Sequence, residues 1–88
     1  MRIKQGYLLR ETQDSRMVVA TGRQAESFHG MIRLNASGAL LYKRLEQGAS
    51  EDDLVDVLLN HYQVTEGRAR TDVVAFLDML ADAGLLTD

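Results

Sequence analysis

The sequence predicts an α+β domain in which a three-stranded antiparallel sheet, built from the N-terminal third, packs on three helices. Three observations carry this. Two runs rich in strand-forming residues flank a turn-like tetrapeptide, a third alternating run leads straight into a helix cap, and the remaining residues carry a helical apolar period. The 88 residues fit one domain, 1–88, near the lower end of what folds alone. With no cysteine, neither a disulfide nor a thiolate metal site supplements the core, which rests on an apolar fraction of 45%.

Tyr7–Thr12 and Met17–Thr21 are the first two strands, and Gln13-Asp14-Ser15-Arg16 between them reads as the hairpin connection. From Gly22 to Gly30 the only large apolar residue is Phe28, so this stretch is expected to be a loop. Met31–Leu34 is the third strand. Ile32 and Leu34 share one face and Met31 and Arg33 the other, and the first pair is assigned to the core. Three short strands are about the minimum for a stable sheet, and they need helices on one face.

Asn35 is placed to accept the orphan amides of a helix over Ala36–Gln47, which Gly48 stops. Ser50 caps a second helix, with Asp53 three residues on resembling a capping box and Glu51 and Asp52 favouring the positive helix end. Thr65 caps the third, from Glu66 to Ala83, and Gly84 suits the left-handed residue past its end. Leu85 and Leu86 then fold back or pack beneath. Along the third helix Ala69, Val73, Phe76, Leu77 and Leu80 form one stripe. Val74 lies off it beside Arg70 and Ala81, and Met79 lies off it on the other flank near Asp72.

The chemistry of catalysis is sparse. His29 and His61 have no second ligand at metal spacing, and His61 suits a helix C-terminus. The serines read as turn and cap residues without a His-plus-acid pattern around them. Glu51, Asp52, Asp53 and Asp56 lack the spacing of a calcium loop, and no phosphate-cradling glycine loop is present. No catalytic residue, metal site or cofactor is therefore expected. No run is long enough to cross a membrane and none resembles a signal peptide, so a cytoplasmic protein is expected.

Net charge is −3, but residues 1–34 hold six basic against three acidic residues, and residues 35–88 four against ten. That division admits two ordinary solvated faces, or a basic edge that meets an acidic ligand. A winged-helix DNA-binding regulator would need a basic recognition helix. The second helix instead begins Glu51-Asp52-Asp53, and the third carries only Arg68 and Arg70 near its start. No nucleic acid is expected as a partner. An accessory subunit or scaffold of an enzyme is the remaining alternative.

Gly6-Tyr7-Leu8-Leu9-Arg10-Glu11, the Val18-Val19 pair, Gly30–Ala39 and Asp72–Leu86 stand in an order that resembles the PqqD-like family of precursor peptide recognition elements, over nearly the whole chain. Gly30–Ala39 is close to its "LNxTGxxxW" junction and Asp72–Leu86 to its "DVxxFLxxLxxxGLL" close. Ser37 stands where Thr is usual, and Tyr42 near where an aromatic residue, often Trp, is found. The resemblance implies a winged-helix-like fold and non-catalytic binding of the leader segment of a ribosomally made peptide. It implies presentation of that peptide to a modifying enzyme, often a radical SAM protein. It also implies that the leader adds as a strand beside Met31, Ile32, Arg33 and Leu34, with Arg70, Val73, Val74 and Leu77 as candidates for the helix wall. Arg33 and Arg70 are candidate partners for leader carboxylates. An open strand edge admits a monomer or a strand-paired dimer.

Overall fold

The chain runs β1 (Arg2–Ile3), β2 (Tyr7–Glu11), β3 (Arg16–Ala20), β4 (Ile32–Arg33), α1 (Ala36–Glu46), α2 (Glu51–His61), α3 (Glu66–Asp82) and β5 (Leu86–Thr87) in a computed structural model that describes residues 1–22, 25 and 30–87. The loop expected over Gly22–Gly30, with Phe28 and His29, lies for the most part outside the described residues.

The hairpin is closed by its own side chains. The Thr12 N–H donates to the Ser15 carbonyl at 2.8 Å, and the Ser15 N–H donates to Thr12 Oγ1 at 3.1 Å. That turn fixes the register of β2 on β3, with Leu8 opposite Val19 and Arg10 opposite Met17. β4 joins the far edge of β3 antiparallel, Ile32 opposite Val18 and Arg33 opposite Met17, completing the order β2-β3-β4. The strand expected over Met31–Leu34 is thus centred on Ile32–Arg33, and Leu34 still donates its N–H to the Arg16 carbonyl at 2.9 Å. By pleat alternation Tyr7, Leu9, Val18, Ile32 and Leu34 face the helices, where they pack on the core.

Each helix starts where a side chain satisfies its orphan amides. Asn35 Oδ1 accepts from the Gly38 N–H at 2.8 Å and from the Ser37 hydroxyl at 3.0 Å. Ser50 and Asp53 form a reciprocal capping box, the Asp53 N–H donating to Ser50 Oγ at 3.1 Å and the Ser50 N–H to Asp53 Oδ2 at 2.9 Å. Thr65 Oγ1 accepts from the Arg68 N–H at 3.2 Å. At the far end of α3, Gly84 has φ 79°, its N–H donates to the Ala81 carbonyl, and Leu85 N–H reaches back to Leu80. This pair of bonds is a Schellman motif, which needs a residue without the left-handed Cβ penalty at Gly84.

The helices bury Leu41, Tyr42, Leu45, Leu54, Val55, Leu58, Ala69, Val73 and Leu80 against Val18 and Leu85. The Schellman turn sends Leu85 into this core and then returns the chain as β5, which pairs antiparallel with β1 (Ile3 opposite Leu86, Arg2 opposite Thr87). This small second sheet is absent from the sequence expectation, because strands of two residues carry no readable period. No described helix is long and apolar enough to cross a membrane.

Candidate functional site: an open strand edge beside a helix trough

Among the described residues β4 is an edge strand, and its register determines what the edge offers. Leu34 N–H points to β3, where it meets the Arg16 carbonyl. In an antiparallel ladder the main-chain groups of alternate residues point to opposite sides, so the N–H and C=O of Arg33 point away from β3. The same parity extended backwards puts those of Met31 on that side. The inward pair Ile32 and Leu34 is partly buried, whereas Met31 is 55% exposed and Arg33 is exposed.

Between this edge, the start of α1 and one flank of α3 lies a trough with two hollows. One, of about 260 Å³, is lined by Arg33 and Leu34 on the strand side and by Ala75, Phe76 and Met79 on the helix side. The other, of about 300 Å³, has an apolar floor of Leu41, Leu58 and Phe76 and a polar rim that includes Ser37, Arg68 and Asp72. Asn35, Gly38, Ala75 and Phe76 line both. Gly38 opens the trough at its middle: a Cβ there would stand 3.1 Å from Asn35 Oδ1 and 3.4 Å from Phe76 Cε1. On the rim, Arg68 Nε donates to Asp72 Oδ1 at 3.3 Å, so that end of the trough carries a solvated ion pair with no net charge.

The residues expected at the site separate into three groups. Met31, Ile32, Arg33 and Leu34 fall together at the strand edge. Val73 is fully buried and Leu77 is 8% exposed, and both pack in the core behind the trough. Arg70 and Val74 lie on the other flank of α3 and line neither hollow. Arg70 is held across the helix pair: its Nη2 donates to Asp52 Oδ1 at 2.8 Å and its Nη1 to Glu51 Oε2 at 2.5 Å. Those bonds raise its pKa above the ordinary guanidinium value, Asp52 first and Glu51 second. Val74 is 39% exposed.

The helix residues that do line the trough are Arg68, Asp72, Ala75, Phe76 and Met79, spaced 4, 3, 1 and 3 along α3. Sequence reasoning left this set unassigned as a site. Its signal was Met79 and Asp72 lying off the core stripe on one flank, and Phe76, assigned to that stripe, is only partly buried.

Of the two histidines, His29 lies outside the described residues, and exposed His61 sits at the end of α2 with Nδ1 2.8 Å from the Val57 carbonyl. Among the described residues no group of three or more His, Asp or Glu side chains could hold a metal ion. The Asp53 carboxyl is held below its ordinary range, first by the Ser50 N–H and then by the Ser50 hydroxyl, as a cap requires. The perturbation is structural.

A three-stranded antiparallel sheet packed on three helices, with a trough beside β4, defines a small α+β module. The family described as Coenzyme PQQ synthesis protein D (PqqD) matches residues 14–86, and the chain belongs to that family. Two solved structures share the fold along nearly their whole length. The first is TbiB1 in complex with the TbiA(beta) leader peptide, with TM-score 0.79, 22% identity and 100% of each chain covered. The second is lasso peptide synthetase B1 complexed with the leader peptide, with TM-score 0.78 and 24% identity, covering 99% of this chain and 96% of that one. A search of curated proteins finds no match.

Proposed function

We propose that this chain is a non-catalytic binding module for the leader segment of a ribosomally synthesised precursor peptide. The leader adds as a strand to β4 and is held against α3, and the chain presents the rest of the peptide to a modifying enzyme. The observation that carries this reading is the outward-pointing main chain of Arg33 beside a trough lined by Ala75, Phe76 and Met79. Strand addition draws affinity from main-chain hydrogen bonds and selectivity from pockets for alternate side chains. The trough supplies two such pockets. Membership of the PqqD family supports the reading, as do two neighbours of the same fold that are leader-peptide complexes.

In this reading Met31 and Arg33 give main-chain partners, Ile32 and Leu34 fix the strand to the core, and Val73 and Leu77 hold α3 in place behind the contact surface. Holding the leader on one surface raises the effective concentration of the core peptide at a co-bound enzyme, without any chemistry by this chain. A nucleic-acid role has no comparable support, since Arg68 and Arg70 are both engaged by carboxylates and α2 opens with three acids.

The test is an amide NMR titration with a synthetic leader from a precursor encoded beside the gene. The Arg33 amide, which faces outwards, is expected to shift and gain exchange protection. The Leu34 amide, already bonded to Arg16, keeps the protection it has. A response confined to another surface, with Met31–Leu34 unmoved, would overturn the reading.

A further inference from the structure

The sheet has a second surface, which shares only Arg33 with the trough. Opposite the core-facing residues, β2, β3 and β4 turn outwards Leu8 and Arg10, Met17 and Val19, and Met31 and Arg33. The register arranges them in two rows across the sheet. Arg10, Met17 and Arg33 form one, and Leu8 and Val19, continued to Met31 by the same register, form the other. Leu8 is 46% exposed and Met31 55% exposed, and α1, α2 and α3 lie on the other face of this sheet. Antiparallel sheets with one wet face ordinarily alternate apolar-in with polar-out. Here four of the six outward residues are apolar.

The other two are cations without a counter-charge among the described residues. Arg16, Lys43, Arg44, Arg68 and Arg70 are each paired with a carboxylate. Arg10 and Arg33 make no ion pair or hydrogen bond with any described residue, and the six outward positions include no acid. They lie two strands apart, about 10 Å, with Met17 between them.

We propose that this outer face is a docking surface for a folded protein partner that presents an apolar patch flanked by carboxylates, and that the partner is the enzyme acting on the bound peptide. The identity of the partner rests on the proposed leader-binding function; the surface itself does not. Charge selects the occupant. A second copy placed face to face by two-fold symmetry would bring four arginines, and no acid from these positions, into one interface, which disfavours self-association. The geometry also permits simultaneous occupancy. Main-chain bonding at β4 runs in the plane of the sheet, whereas the outward side chains stand perpendicular to it. One face then engages the enzyme while the edge holds the peptide.

The experiment uses the full chain and the purified maturation enzyme encoded beside its gene. Arg10→Glu and Leu8→Thr are both on β2, at the opposite edge from β4, and both positions are exposed, so folding and the trough are left alone. The expected result is at least tenfold weaker enzyme binding by Arg10→Glu and a smaller loss for Leu8→Thr, with leader affinity within twofold of the parent. Enzyme binding should also weaken as salt rises from 0.1 to 0.5 M, as expected for a charge-steered contact. Enzyme binding indifferent to both substitutions overturns the proposal, as does no binding by the parent chain, or self-association through this face in sedimentation. If the leader fails to bind while the substitutions still abolish enzyme binding, the leader-binding function fails and the docking surface stands.

Discussion

A side chain at Gly38 would carry its Cβ 3.4 Å from Cε1 of Phe76, so the middle of the trough is open because residue 38 has no side chain. Alanine there gains about 1 kcal/mol of helix propensity. It also presses on Asn35 Oδ1, at 3.1 Å, and so works against a cap of about the same worth. Gly38→Ala is therefore expected to leave stability within about 1 kcal/mol of the parent, by urea titration, while weakening leader binding several-fold by calorimetry.

Asn35 caps α1 and lines both hollows. Asn35→Ala should cost about 1 kcal/mol of unfolding free energy, seen as a lower urea midpoint at unchanged slope. Leader affinity should fall with it, because the junction between β4 and α1 loosens.

Tyr42 is fully buried, and its hydroxyl has no hydrogen-bond partner among the described residues. An unpaired buried hydroxyl costs stability that its removal returns, so Tyr42→Phe is expected to be neutral or stabilising by up to about 1 kcal/mol. Burial, then Glu46 and Tyr7, push the Tyr42 pKa up from 10.0 to about 12. The unfolded chain therefore loses this proton first. The stability associated with Tyr42 is complete below pH 10 and declines as pH rises from about 10 to about 12, by ~3 kcal/mol in all. Tyr42→Phe should flatten this alkaline limb in pH-dependent denaturation.

The Asp53 carboxyl behaves in the opposite sense. Its folded pKa is lowered by the Ser50 N–H and hydroxyl, so its contribution is present above the unfolded carboxylate range and lost as pH falls through the lowered folded value. Thermal melts of Asp53→Asn across pH 2–6 should show a shallower acid limb than the parent.

Arg70 bridges α3 to the start of α2 through exposed carboxylates. Arg70→Gln should move the urea midpoint only slightly, because solvent screens these pairs, and change leader affinity by less than twofold. A larger loss of affinity without loss of stability would place Arg70 in contact with the peptide.

Local chemistry made much of this fold legible in the sequence. Asn35, Ser50 with Asp53, Thr65 and Gly84 each announce a helix end through a backbone group that a nearby side chain or a left-handed residue must satisfy, and the helices begin and end there. The alternation at Met31–Leu34 likewise indicated which side chains face inwards. Cross-element contacts were not legible. Nothing local tells Arg70 that Glu51 and Asp52 lie within reach, 19 and 18 positions earlier, nor that Phe76 borders Gly38. The candidate helix wall was placed on α3 by the family resemblance. Periodicity separates core from surface but does not choose between the two flanks, and the trough lies along the flank of Asp72 and Met79.

The pairing of β1 with β5 joins Arg2 to Thr87 and Ile3 to Leu86, across nearly the full contour of the chain. Closing so long a loop is the most entropically demanding step of this topology, whereas the β2–β3 hairpin and the α2–α3 pair assemble from neighbours. The clasp should be the last element to form and the first to fray, with amide exchange at Lys4, whose N–H donates to the Leu85 carbonyl, and at Thr87 preceding exchange in β3. None of its residues lines the trough, so a chain caught with its clasp undone would still carry an assembled binding surface.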